Sequence, residues 1–152
     1  ALTAWLRGEA PAVKAREAFA HPVPRLEAGQ RLAAACATAM IDLSDGLGGD
    51  AGHLAAASGR ALDIDLARLP LHPDVAAAAK HENLTPAEFA GRGGEDYELL
   101  ASLPLSFSEV EAVRLARETG VPLTRIGTVK SGAGVRFREG GTEGLLDRRL
   151  RP

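Results

Sequence analysis

Between residues 40 and 58 the spacing of apolar positions changes from two to about four. Ile41 and Leu43 alternate with Asp42 and Ser44, which gives one apolar strand face and one face of oxygen ligands. Past Asp45-Gly46, Leu47, Leu54 and the alanines between them take helical spacing, and Gly59 stops the helix. A buried strand is therefore expected to run straight into a helix, with two carboxylates and a hydroxyl gathered at the junction. Ser44 or Asp45 could act there as a helix cap. A cap leaves Asp42 unexplained, because an acid beside a strand end needs a partner.

The same reading extends along the chain. Residues 2–20 are helix-like, with Trp5, Leu6, Val13, Ala18 and Phe19 as apolar positions and a break at Pro11. The prolines of His21-Pro22-Val23-Pro24-Arg25 keep that segment extended. Residues 30–39 are alanine-rich and predict a helix. Residues 61–66 alternate as a strand, with Asp63 and Asp65 on one face, expected to be solvated rather than metal-binding. Helices are predicted over 73–82, from Thr85, and from Ser106 or Ser108 to Gly120, the last carrying Val110, Val113, Leu115 and Ala116 on its apolar side. Tyr97, Leu99 and Ala101 alternate as a strand. Residues 124–129 and 134–138 predict two strands joined as a hairpin across residues 130–133. The sum is an α+β fold with a mixed sheet and helices packed on it. Residues 1–20 read as a lead-in segment, 21–139 as the main domain, and 140–152 as a polar tail.

Composition narrows the function. The chain has 152 residues, enough for one domain, and only 4% are aromatic, so the core must be built from Ala, Leu, Val and Ile. A net charge of -2 gives no electrostatic case for nucleic acid or an anionic membrane. No apolar run approaches the roughly 20 residues of a membrane span. Cys36 is the single cysteine, which excludes an internal disulfide and fits a cytoplasmic setting. The first residue is Ala1 and the one methionine is Met40, so a segment is expected to precede Ala1.

Candidate chemistry follows by elimination. No Gly-x-x-x-x-Gly-Lys-Ser/Thr is present, and Gly91, Gly93 and Asp96 break a dinucleotide fingerprint. Twelfth from Asp42 is His53, where a calcium loop needs Glu. No Cys/His spacing suits zinc, and Ser44 lacks a glycine elbow. What remains is the acidic junction and a second stretch, Gly91-Arg92-Gly93-Gly94-Glu95-Asp96-Tyr97-Glu98. Its three glycines would leave backbone amides free to face a ligand. Oxygen ligands beside a glycine-rich backbone suit Mg²⁺ and phosphate.

Ile41-Asp42-Leu43-Ser44-Asp45-Gly46-Leu47, together with Gly93-Gly94-Glu95-Asp96-Tyr97-Glu98-Leu99-Leu100, resembles the C-terminal domain of thiamine-monophosphate kinases. That family belongs to the aminoimidazole-ribonucleotide synthetase superfamily. Pro22-Val23-Pro24-Arg25 with Gly29, Ser58-Gly59, Leu69-Pro70 and Ile126-Gly127 follow in family order. The resemblance implies ATP-dependent phosphorylation of thiamine monophosphate, with Mg²⁺ on the polyphosphate. It implies Asp42 and Asp45 as Mg²⁺ ligands, Ser44 as an ATP contact, and Glu95 with Asp96 at the acceptor site. No general base is assigned. It also implies a homodimer formed through an N-terminal domain that this chain lacks. One departure stands out: the family carries an aromatic after a late glycine, whereas Leu145 follows Gly144 here. Alternatives are another superfamily substrate, as in selenophosphate synthetase or the hydrogenase-maturation carbamoyl dehydratase, and a non-catalytic binding or assembly module.

Overall fold

The computed structural model describes residues 1–139 and the backbone of a short strand at Thr142–Glu143. The rest of the tail expected over 140–152, including Gly144 and Leu145, lies outside the described residues. In chain order the helices and strands are α1 (Leu2–Leu6), α2 (Val13–Ala20), α3 (Leu26–Ala34), β1 (Ala39–Asp42), α4 (Leu47–Ser58) and β2 (Ala61–Asp65). There follow α5 (Val75–His81), α6 (Pro86–Arg92), β3 (Leu99–Ser102), α7 (Glu109–Thr119), β4 (Gly127–Lys130), β5 (Gly134–Glu139) and β6 (Thr142–Glu143).

The strands form two sheets. β1 and β3 pair antiparallel as a two-stranded ribbon, with Asp42 opposite Leu99. The other four lie in the order β4-β2-β5-β6. α4 joins the two. Its positions Leu47, Asp50, Ala51, Leu54 and Ala55 follow helical spacing and are all buried. They pack with Leu62 and Ile64 of β2, Phe137 of β5 and Ala87 of α6, and Ile41 and Leu100 of the ribbon close over them. Each leucine or phenylalanine buried in this way contributes about 1.5–3 kcal/mol. The α+β class and the mixed sheet are those expected.

The hairpin expected across residues 130–133 does not form. β2 lies between β4 and β5, antiparallel to the first and parallel to the second, with Leu62 opposite both Val129 and Val135. The connecting residues pass around the start of β2 instead of turning tightly, so that Gly132 lies close to the Ala61 side chain. Leu62 and Ile64 of β2 join the core, while Asp63 between them takes the opposite face of the sheet. Asp63 is then not simply solvated. Lys130 and Arg138 both donate to its Oδ2 and leave it 8% exposed. Its low exposure comes from two long cationic side chains lying over it. They hold its carboxyl below the usual range, chiefly through the Lys130 hydrogen bond. Asp65 accepts from the Ala67 N–H and caps the short 3₁₀ turn Leu66–Arg68.

Several elements also differ from expectation in their bounds or in the face they bury. α3 starts at Leu26, directly after the extended prolines, and ends at Ala34, because Thr38 already bonds to Ser102 beside the ribbon. α5 is shorter than expected, covering Val75–His81. β3 begins at Leu99, so Tyr97 precedes the strand. In α7 only Leu115 is buried, and Val110 and Val113 face outward. Its capping box of Ser108 and Glu111 is the start expected, as is that of Thr85 and Glu88 for α6. The break at Pro11 separates α1 from α2, which have no buried residue and meet through Trp5 and Phe19, edge to face at 5.3 Å.

Candidate functional site

β1 ends at Asp42 because Leu43 turns inward toward the core while its N–H still bonds across to Glu98. Four residues later α4 begins. The Asp42 and Asp45 side chains lie exposed at the junction, and their carboxylates make no hydrogen bond or ion pair with other described residues. Neither Ser44 nor Asp45 caps α4. Asp50, one turn inside the helix and 2% exposed, reaches back so that the Ser44 and Asp45 amides both donate to its Oδ2 at 3.0 Å. That carboxylate holds the junction rigid and occupies two amides that an anion would otherwise take. Asp45 is thereby freed from the capping role, and its carboxylate is available to a ligand.

The glycine-acid stretch comes to the same place. α6 ends at Arg92, and the chain leaves it extended through Gly93. The Glu95 amide then donates to the Ser44 carbonyl at 2.8 Å, and the Tyr97 amide donates to the Leu43 carbonyl at 2.8 Å. Two glycines permit this approach. A Cβ on Gly94 would stand 2.7 Å from the Ser44 carbonyl oxygen, and one on Gly46 would stand 2.6 Å from that of Gly93. The glycines thus serve backbone-to-backbone packing of the two motifs, a use beyond the ligand-facing amides expected of them. Glu95 and Tyr97 adopt left-handed backbone, with φ of 63° and 51°. Such a conformation costs about 1–2 kcal/mol for a residue with a Cβ, so the surroundings must hold it.

One such restraint is Arg25, the last residue of the extended proline segment. Its guanidinium forks onto Glu98, with Nη2 to Oε1 at 2.7 Å and Nε to Oε2 at 3.1 Å. Between Glu95 and Glu98 lies Asp96. Loss of hydration through partial burial, and then the charge of Glu98, push its carboxyl up to about 6, although part of its surface reaches solvent. Asp42, Ser44, Asp45, Glu95 and Asp96, all singled out from sequence, are therefore carried by two segments hydrogen-bonded to each other at one end of the ribbon.

The donor set fits a hard cation only in a particular way. Among the described residues no group of three or more His, Cys, Asp and Glu could hold a metal ion. Two exposed carboxylates are, however, what Mg²⁺ takes from a protein when phosphates and water complete its octahedron. A shallow hollow of about 230 Å³ between α3 and α7, lined by Arg31, Phe107, Arg114 and Glu118 among others, contains none of these acids. Sequence reasoning missed Asp50 and the Arg25–Glu98 pair. An acid in the first turn of a helix was the available signal for Asp50. Arg25 and Glu98 are 73 residues apart, and no local pattern links them.

The chain is similar to known proteins in sequence and in fold. No family model matches the chain. A thiamine-monophosphate kinase from Haemophilus influenzae is 37% identical over 114 residues, which is 75% of this chain and 34% of that protein. A crystal structure of thiamine-monophosphate kinase from Stenotrophomonas maltophilia superposes with a TM-score of 0.78 at 32% identity, over 94% of this chain and 46% of that one. A structure described as AaThiL complexed with AMPPCP and TMP superposes with a TM-score of 0.73 at 28% identity, over 94% of this chain and 45% of that one. The chain thus spans about a third of that curated relative and under half of the two solved ones.

Proposed function

The chain belongs to the thiamine-monophosphate kinase family, and from that premise we propose that it is the C-terminal part of an ATP-dependent kinase converting thiamine monophosphate to thiamine diphosphate. Residues 21–139 would form the synthetase-like domain and residues 1–20 the approach to it. The N-terminal part of the intact protein would complete the active site and carry the homodimer contacts, so this piece alone would not turn over. A cytoplasmic setting fits the chemistry. No helix among the described residues is long and apolar enough to cross a membrane.

The observation that carries the reading is the hydrogen bond between the Glu95 amide and the Ser44 carbonyl. It ties the acids suited to a metal–nucleotide complex to the turn suited to an acceptor. The AMPPCP and TMP of the related complex, taken as an ATP analogue and thiamine monophosphate, are a ligand pair of that kind. Phosphoryl transfer needs positioning and charge neutralisation more than covalent help from the protein. Asp42 and Asp45 would hold Mg²⁺, and Ser44 would meet the nucleotide. Glu95, with Asp96 beside it, would face the cationic acceptor. Bound Mg²⁺ would neutralise charge on the polyphosphate and orient it.

The test is steady-state kinetics on the full-length protein with thiamine monophosphate and MgATP. Wild-type protein is expected to form thiamine diphosphate. Glu95→Gln is expected to raise KM for thiamine monophosphate by about tenfold, the worth of one charged contact, and to leave KM for MgATP unchanged. No product from the wild type, or a variant indistinguishable from it, rejects the assignment.

A further inference from the structure

Arg25 has a place in the fold that its motif does not account for. It ends a segment stiffened by Pro22 and Pro24 and immediately precedes α3. α3 is in turn fixed to the ribbon, where Gly29 lies close to Leu99. The guanidinium therefore leaves a rigid base. It meets Glu98, which it grips through both Nε and Nη2 across 73 residues of chain. Glu98 is the residue just after the two left-handed positions Glu95 and Tyr97. On its other side the turn is fixed by the amides of Glu95 and Tyr97, which bond to Ser44 and Leu43. The strained turn is thus clamped from both flanks. Among the described residues its side-chain clamp is Arg25, from a segment that carries none of the site acids. The junction acids have a separate support in Asp50.

We propose that Arg25 is a positioning residue for the phosphoryl acceptor: by forking onto Glu98 it holds the 95–98 turn so that the Glu95 carboxylate is presented to the acceptor's cationic group. This rests on the kinase reading above. Two supports for two motifs imply a split in kinetics. Loss of the Arg25 fork loosens the acceptor side, while Asp50 continues to hold the nucleotide side. A lysine cannot replace the fork, because an ammonium is a point donor without a planar pair of N–H groups.

The experiment uses the full-length protein with each substrate varied in turn, and follows folding by circular dichroism. Arg25→Ala and Glu98→Gln are expected to raise KM for thiamine monophosphate, or lower kcat, by about tenfold or more, with KM for MgATP within about twofold of wild type. Arg25→Lys is expected to recover only part of the loss. The exchange pair Arg25→Glu with Glu98→Arg is expected to recover more than either of its single changes. Acceptor kinetics unchanged in both Arg25→Ala and Glu98→Gln overturn the proposal. So does an equal loss for both substrates that tracks a loss of folded protein and is not recovered by the exchange pair. Should Arg25→Ala fail to fold, Arg25→Lys and Glu98→Gln decide by the same criterion. A wild type that forms no thiamine diphosphate removes the kinase reading and this role with it, and is recognised because the unmodified protein is itself silent.

Discussion

Asp96 shows how the turn acts on a single residue. Its carboxyl is pushed up to about 6, first by the desolvation that comes with burial and then by the charge of Glu98. The folded protein therefore holds this proton more tightly than the unfolded chain does. The stability tied to Asp96 is complete below the ordinary aspartate pKa and is lost as pH rises toward 6. Asp96→Asn should accordingly raise the Tm of the full-length protein at pH 7 and leave it unchanged near pH 3, as thermal melts across that range would show. An equal shift at both pH values would contradict the account. The acids of the site were legible because carboxylates at a strand end and after a glycine turn lack a structural use of their own. Asp50 was not, since its carboxylate is spent on two backbone amides and its spacing is that of a core position.

At the scale of elements, the mixed sheet depends on Asp63. The residue lies at the centre of β2 and is bonded by Lys130 of β4 and Arg138 of β5, so one carboxylate ties three strands together. Its folded pKa is lowered by both cations. The stability it contributes is present above the ordinary aspartate range and is lost as pH falls through the lowered value. Asp63→Asn should cost about 1–2 kcal/mol at pH 7, the range for a charge-assisted bond with partly exposed partners. The cost should shrink in acid, as pH falls below the ordinary aspartate range. Urea unfolding at pH 7 and in acid measures both, and a cost independent of pH would refute it. Most strands and helices, and the starts of α6 and α7, were readable from local spacing. Pairing was not. Residues 127–139 have the spacing of a hairpin, but the sheet inserts β2 between the two strands, a pairing with a segment more than 60 residues away that no local spacing encodes. Tyr97 misled in the same way, since its alternation with Leu99 continues through a turn that backbone bonds to Leu43 and Ser44 hold out of the strand.

In the whole molecule, α4 packs against both sheets, and its N-terminus meets the glycine-acid turn. The core thereby fixes the distance between the two motifs, and a close backbone approach at Gly46 and Gly94 fixes their contact. The fold class and the two motifs were visible in sequence because both motifs are short and local. Of the clamps that hold them, Asp50 is local to the junction, five and six residues from the amides it binds, whereas the Arg25–Glu98 pair emerges only when segments 73 residues apart are brought together. The central claim is that the junction acids collect Mg²⁺ around a nucleotide's phosphates. Its most direct test is a Mg²⁺ titration of thiamine diphosphate formation by the full-length protein, comparing wild type with Asp42→Asn. The account predicts that the variant needs about tenfold more Mg²⁺ for half-maximal rate, in keeping with the loss of one carboxylate ligand. A variant whose Mg²⁺ dependence superimposes on that of the wild type would contradict it.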